Sequence, residues 1–315
     1  MRVASTVSGP HDEEPGIKAT LSGVEEVSAG PQRLPIIVKA EEALPPLVVI
    51  KPRSGWIPIG WGELWEYREL LGFLVWRDIK VRYKQTVLGA SWAVLQPLAT
   101  MGVFSLLFGR WARMPSDGLP YPLFAFAALL PWTFFANAVS ASANSLVGNT
   151  HLISKVYFPR LLIALSSLGT ALLDLFVAMV VMFALLAFYG VGITPQMAAL
   201  PALVLVPFFL AFGVGSALAA LCAMYRDVRY VVPFLLQLWM FASPVIYPVS
   251  LIPAEWRWIA YLNPMVGAID GFRSALLGLP FNWIAIGSSY VITLAALVVG
   301  LSYFRRVERL VADLI

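Results

Sequence analysis

The 315-residue chain is 59% hydrophobic and 13% charged, against roughly 45–50% and roughly 25% in soluble domains, so a soluble core could not hide its apolar surface and lipid must cover it. The net charge of +4 is small, and the bases sit at the ends of apolar stretches rather than in a patch with interleaved aromatics, which excludes a nucleic-acid binder. A single cysteine, Cys222, permits no internal disulfide, and two histidines, His11 and His151, cannot build a histidine metal cluster.

Residues 1–55 form a different class of sequence. Up to residue 50 they hold seven acids (Asp12, Glu13, Glu14, Glu25, Glu26, Glu41, Glu42) and four bases (Arg2, Lys18, Arg33, Lys39), with prolines at 10, 15, 31, 35, 45 and 46. No helical or strand periodicity is sustained there, so the segment reads as a disordered acidic tail. The first thirty residues lack the apolar h-region of a secretory signal, and the first internal span is expected to direct insertion.

Next comes a unit over 56–86. On a helical wheel over 62–84, Glu66, Glu69, Arg77, Lys80 and Lys84 share one side, and Leu64, Tyr67, Leu71, Leu74 and Val75 share the other. With Trp65, Trp76 and a basic C-terminal end, this predicts an amphipathic helix lying in the membrane interface. A helix packed on a domain core would carry the same pattern.

Six long apolar stretches follow, over 88–109, 121–147, 161–190, 197–224, 230–249 and 283–304. Each approaches or exceeds the ~20 residues that cross a ~30 Å hydrocarbon core, so 87–315 reads as a six-span domain. With the N-terminus inside, eleven bases flank the cytoplasmic ends (Arg77, Lys80, Arg82, Lys84, Lys155, Arg160, Arg226, Arg229, Arg305, Arg306, Arg309) and four face outward (Arg110, Arg113, Arg257, Arg273). That bias places both termini in the cytoplasm. Residues 251–280 hold two short amphipathic pieces, near 254–262 and 265–277, separated by Asn263-Pro264. Neither piece can cross, and the pattern suits a re-entrant or surface-lying helical hairpin on the outer face.

No motif carries catalysis. The sequence contains no Gly-x-x-x-x-Gly-Lys-Ser/Thr phosphate loop, no Gly-x-Ser-x-Gly elbow and no His-Glu-x-x-His. Catalytic, cofactor-binding and metal-ligating residues are therefore expected to be none. Asp174 is the one charge deep inside a predicted span. Its insertion costs about 2.5–3.5 kcal/mol at the midplane, so it must face protein or water. A proton or substrate site and hydrogen-bonded helix packing, helped by the preceding Ser166, Ser167 and Thr170, both fit.

Aromatic residues crowd the first two spans, including Trp92, Phe104, Trp132 and Phe135, and Trp239 and Tyr247 punctuate the fifth. Such rings can stack on the apolar C–H faces of sugars and line a passage, or they can form the interfacial belt. The loop 149–160 offers Leu152, Ile153, Val156 and Tyr157 at i, i+1, i+4, i+5, a ridge for a partner's groove or for lipid headgroups. Arg77, Lys80, Arg82 and Lys84 would anchor the inner side or contact a lipid phosphate.

Four stretches resemble, in order, the permease subunits of type-2 ABC exporters for polysaccharides: RDIKVRYKQTVLGASWAVLQP (77–97), SLVGNTHLISKVYFPRLL (145–162), YRDVRYVVPFLLQLWMFASPVIYP (225–248) and NPMVGAIDGFRSALLG (263–278). The resemblance implies an all-α membrane protein of six transmembrane helices, with an N-terminal amphipathic interface helix and a re-entrant outer hairpin, in the bacterial inner membrane. It implies a homodimer docked on two ABC ATPase subunits, which would bind ATP and Mg while this chain binds no cofactor. Tyr67, Arg68, Leu152, Ile153, Lys155 and Tyr157 would then meet the ATPase, and the cargo would be a lipid-linked glycan of O-antigen, capsule or teichoic-acid type. Rival readings are a permease of the same architecture for drugs or hydrophobic small molecules, and a membrane enzyme acting on lipid-linked sugars.

Overall fold

The computed structural model describes residues 61–84 and 91–314, and the expected tail over 1–55 lies outside the described residues. The elements are α1 (Trp61–Glu66), α2 (Arg68–Lys84), α3 (Ser91–Phe104) continued by a π-helical stretch (Ser105–Trp111), α4 (Tyr121–Gly148), α5 (Thr150–Lys155), α6 (Leu161–Phe188), α7 (Leu200–Met224) entered through a 3₁₀ turn at Pro195–Ala199, α8 (Val228–Phe241), α9 (Arg257–Ala260), α10 (Pro264–Leu277) and α11 (Trp283–Leu314). Among the described residues there is no strand.

Four helices are long and apolar enough to cross a membrane: Tyr121–Gly148, Leu161–Phe188, Pro195–Met224 and Trp283–Glu308. They coincide with the second, third, fourth and sixth expected spans. The chain is a helical membrane protein. Expected span one appears as helix over 91–111, with residues 88–90 outside the described part. The fifth differs from expectation. Its helix stops at Phe241, and residues 242–248 are irregular. At ~1.5 Å per residue the 14 residues of α8 reach about 21 Å, short of a ~30 Å core. Ser243-Pro244 follows the helix end, and a proline withholds the N–H that would continue it.

The bundle is organised around α4, which packs on α3, α6, α7, α8 and α10 and buries most of its length. The cluster of small residues in span four serves close approach, as its composition suggests. A Cβ on Gly213 would lie 2.6 Å from Leu297 Cα, one on Gly300 2.1 Å from Gly213 O, and one on Gly215 2.7 Å from Ser142 Cβ. Glycine at these points lets α7 touch α11 backbone to backbone and take the Ser142 side chain of α4 against its own backbone.

The 251–280 region forms two short helical pieces divided at Asn263-Pro264, as expected, but only its first half lies at the surface. Trp256, Trp258 and Leu262 are exposed, whereas α10 is buried between α4, α7 and α11 except at the partly buried Asp270. Local chemistry fixes its ends. Asn263 Oδ1 accepts from Met265 N–H at 3.0 Å, Pro264 starts the helix, and Gly278 closes it at φ 74°.

Candidate functional site

Two polar networks stand out, one at each end of the bundle. The first belongs to α2. The expected helix over 62–84 is broken at Tyr67, and its sides are mixed. Leu64 and Leu74 are buried, and Tyr67, Leu70 and Leu71 pack on the core, but Trp65, Phe73, Trp76 and Val81 remain exposed. Arg77, expected on the polar side, turns inward. Its guanidinium pairs with Asp78 at 2.7 Å and donates to Asn149 Oδ1 at 2.9 Å, at the start of α5. The helix and the loop after α4, both singled out in the sequence, are thus hydrogen-bonded to each other.

Along α6 the α2 contacts continue. Ser166 Oγ donates to Asp78 Oδ2 at 3.3 Å, Val75 sits against Gly169, and Arg82 Nη2 lies 2.9 Å from Asp174 Oδ2. Tyr83 O–H donates to Asp174 Oδ1. Burial and the adjacent carboxylate push the Tyr83 phenol up to about 12. Asp174 is thus ion-paired and hydrogen-bonded from α2 rather than from the preceding Ser166, Ser167 and Thr170.

The four bases at the inner end are consequently not one cluster. Arg77 and Arg82 are engaged as above, Lys80 lies over the Trp76 ring at 5.1 Å, and Lys80 and Lys84 are exposed. The apolar ridge of the loop is split as well. Leu152 and Ile153 are half-buried against the core, whereas Lys155, Val156 and Tyr157 are exposed. Arg68 is exposed beside Trp65, with its guanidinium 5.7 Å from the ring centre.

The aromatics divide in the same way. Trp132 and Phe135 are buried, 5.8 Å apart between ring centres, and Phe135 meets Trp239 edge-on at 5.0 Å. These three form a ladder inside the chain. Trp239 Nε1 donates to Asn263 Oδ1 at 2.9 Å. Phe104 packs edge-on against Phe108 at 5.6 Å, Tyr247 is half-buried, and Trp92 is exposed. The structure does not bring these six into one lining.

At the opposite end stands the residue that sequence reasoning missed. Arg273, expected on the outer surface, is buried. Its Nη2 donates to Val245 O at 2.8 Å, Nε to Phe124 O at 3.2 Å and Nη1 to Tyr247 O at 3.4 Å, and its guanidinium carbon lies 3.6 Å from the Phe124 ring centre. Tyr121 O–H takes Ile246 O at 2.9 Å, and Asn263 Nδ2 takes Ser243 Oγ at 2.9 Å and Ala242 O at 3.3 Å. The broken stretch after α8 therefore has its carbonyls satisfied from α4 and from both ends of α10, which a buried irregular backbone requires. The available signal was an arginine within the otherwise apolar resembling stretch 263–278, but its charge argued for the surface. Among the described residues no group of side chains could hold a metal ion.

Among the described residues these arrangements tie helices together. The family model for ABC-2 type transporters matches residues 69–277. The chain is 34% identical to the O-antigen export system permease protein RfbA of Myxococcus xanthus over 67% of this chain and 82% of that protein. It is 28% identical to the protein of the same name from Klebsiella pneumoniae, over 78% and 95% respectively. It is also 24% identical to the polysialic acid transport protein KpsM of Escherichia coli, over 74% and 91%. The chain belongs to the ABC-2 type transporters, as a permease subunit that has no ATPase domain of its own and works with ATPase subunits.

Proposed function

We propose that this permease exports a lipid-linked polysaccharide of O-antigen type across the bacterial inner membrane, as a homodimer docked on two copies of an ABC ATPase that bind ATP and Mg. The observation that carries this reading is the 34% identity to an O-antigen export permease over 67% of this chain. In the membrane the chain makes six crossings with both termini cytoplasmic: the four long helices, α3 with its π-helical extension, and α8 together with the irregular stretch 242–248 that follows it. The Arg77–Asn149 end is then the cytoplasmic end, and the α9–α10 hairpin faces outward.

Within that arrangement the ATPase meets Tyr67 and Arg68 at the α1–α2 break and Lys155 and Tyr157 after α5, with Leu152 and Ile153 transmitting from beneath. Lys80 and Lys84, exposed on α2, are placed to meet a carrier's phosphate, whereas Arg77 and Arg82 already hold Asp78, Asn149 and Asp174. The passage forms between two copies and uses exposed apolar faces such as Trp92 on α3 and Phe234 and Phe241 on α8.

The test is deletion of the coding gene followed by display of surface glycan on a gel. Loss of long-chain surface polysaccharide, its accumulation inside the cell and restoration by the intact gene are expected. Unchanged glycan with raised drug sensitivity would favour a small-molecule permease instead. Turnover of lipid-linked sugar by the purified chain alone would favour an enzyme.

A further inference from the structure

We propose that Asp174 is the joint that makes α2 and the first half of α6 a single lever, through which motion of α2 reaches the transmembrane bundle during ATP-driven transport. The proposal rests on the reading that α2 meets the ATPase.

Three contacts join the two helices where they meet, at positions 166, 169 and 174 along α6 and within 75–83 of α2. Asp78 receives Ser166 at the first, Val75 fills the notch left by Gly169 at the second, and Arg82 and Tyr83 close on Asp174 at the third. A Cβ on Gly169 would stand 2.7 Å from Val75 Cγ1, so the helices touch there with nothing between them. Thirteen positions into α6, the Asp174 side chain is 14% exposed, and its two oxygens go to two neighbouring residues of α2.

Withdrawal of α2 from α6 would strand that carboxylate in apolar surroundings, where an unpaired charge is costly. Tilting both helices together strands nothing. The rest of the bundle is built for the opposite behaviour. Gly213 and Gly300 lock α7 to α11, and a Cβ on Gly267 of α10 would come within 2.1 Å of Ala285 O on α11. Beyond Asp174, α6 instead exposes Phe176, Val180, Phe183 and Phe188. The bundle therefore offers a fixed block of α7, α10 and α11 and an α6 that packs on α4 but leaves its second half exposed, with α2 fastened to its first half. Both oxygens being taken also argues against Asp174 as a substrate or proton site.

The test uses the permease–ATPase complex in proteoliposomes, in a Cys222→Ser background, with spin labels on Trp76→Cys and Phe176→Cys for the α2–α6 distance, and on Trp76→Cys and Val299→Cys for α2–α11. On adding ATP and vanadate, the α2–α6 distance should stay constant while the α2–α11 distance changes. In Asp174→Asn the α2–α6 distance should shift or broaden with nucleotide, and ATP hydrolysed per glycan exported should rise several-fold. The exchange Arg82→Asp with Asp174→Arg should restore the ratio, which a general packing defect would not allow. A nucleotide-dependent α2–α6 distance in the otherwise wild-type complex, or an unchanged ratio in Asp174→Asn, overturns the proposal. Should Asp174→Asn fail to assemble, Tyr83→Phe supplies the same two readouts in milder form. A complex that hydrolyses ATP yet exports no glycan refutes the polysaccharide reading, while the distances still decide the lever.

Discussion

Arg273 Nη2 donates to the carbonyl oxygen of Val245 at 2.8 Å, across 28 residues of chain. The bond explains how a predicted crossing helix can stop at Phe241 without leaving a defect. Arginine presents five donors in a planar fork, and here they are spread over Val245, Phe124 and Tyr247 while the ring of Phe124 covers the guanidinium face. Among the described residues no other side chain donates to three carbonyls of two separate segments.

Replacing Arg273 with methionine should accordingly destabilise the chain strongly. Each buried acceptor left without a donor costs about 1–3 kcal/mol, and three lose theirs. Lysine should rescue little, because a point ammonium cannot reproduce the fork. Thermal unfolding of the purified protein in detergent should rank wild type above Arg273→Lys and that above Arg273→Met; equal stability of the two variants would contradict the fork argument.

The glycines make opposite predictions according to their neighbours. Gly300→Ala and Gly267→Ala should each destabilise by about 1–3 kcal/mol or more, as overpacked cores do, since each added methyl would meet backbone at 2.1 Å. Gly72→Ala, in α2 with nothing within 4 Å of a built Cβ, should be neutral or stabilising by roughly 0.5–1 kcal/mol through helix propensity. Membrane yield and unfolding temperature of the three variants would check the contrast.

Trp239→Phe isolates one hydrogen bond. It keeps a ring against Phe135 and removes the Nε1–H that donates to Asn263, a change of about 1 kcal/mol. Asn263→Ala should cost more, since it removes that acceptor, the cap on Met265 N–H and both donations to the stretch after α8. A double-mutant cycle on unfolding temperature should show the two residues coupled.

Alkaline pH should expose Tyr83. Its phenol titrates at about 12 in the fold, against an ordinary value near 10, because burial and the Asp174 carboxylate favour the neutral form. A group whose folded pKa is raised contributes its stability below the unfolded value and loses it as pH climbs toward the folded one. The stability difference between wild type and Tyr83→Phe should therefore be constant below pH 10 and shrink between about 10 and 12. A difference independent of pH over that window would contradict the Tyr83–Asp174 contact.

Much of the architecture follows from hydropathy alone, because a crossing helix must satisfy its own backbone bonds and cover itself in apolar side chains over ~20 residues. Four spans match within a few residues for that reason, and the Asn263-Pro264 start of α10 is written in two adjacent side chains whose effect is local. What hydropathy cannot report is which neighbour a helix meets. The placing of Trp132, Phe135 and Arg77, of Arg273 away from the outer surface, and of the helix end at Phe241 inside residues 230–249, each depended on a partner supplied from far along the chain.

Periodicity and composition determined that this is a helical membrane protein, since the need to bury apolar side chains in lipid is a property of local sequence. Tertiary structure alone decided where its buried charges go. A charge inside apolar surroundings is tolerable only with specific partners at hydrogen-bond distance, and the partners of Asp174 and Arg273 stand on other segments of the chain, 91 and 28 residues away. No window short enough to read as a pattern contains both members of either pair.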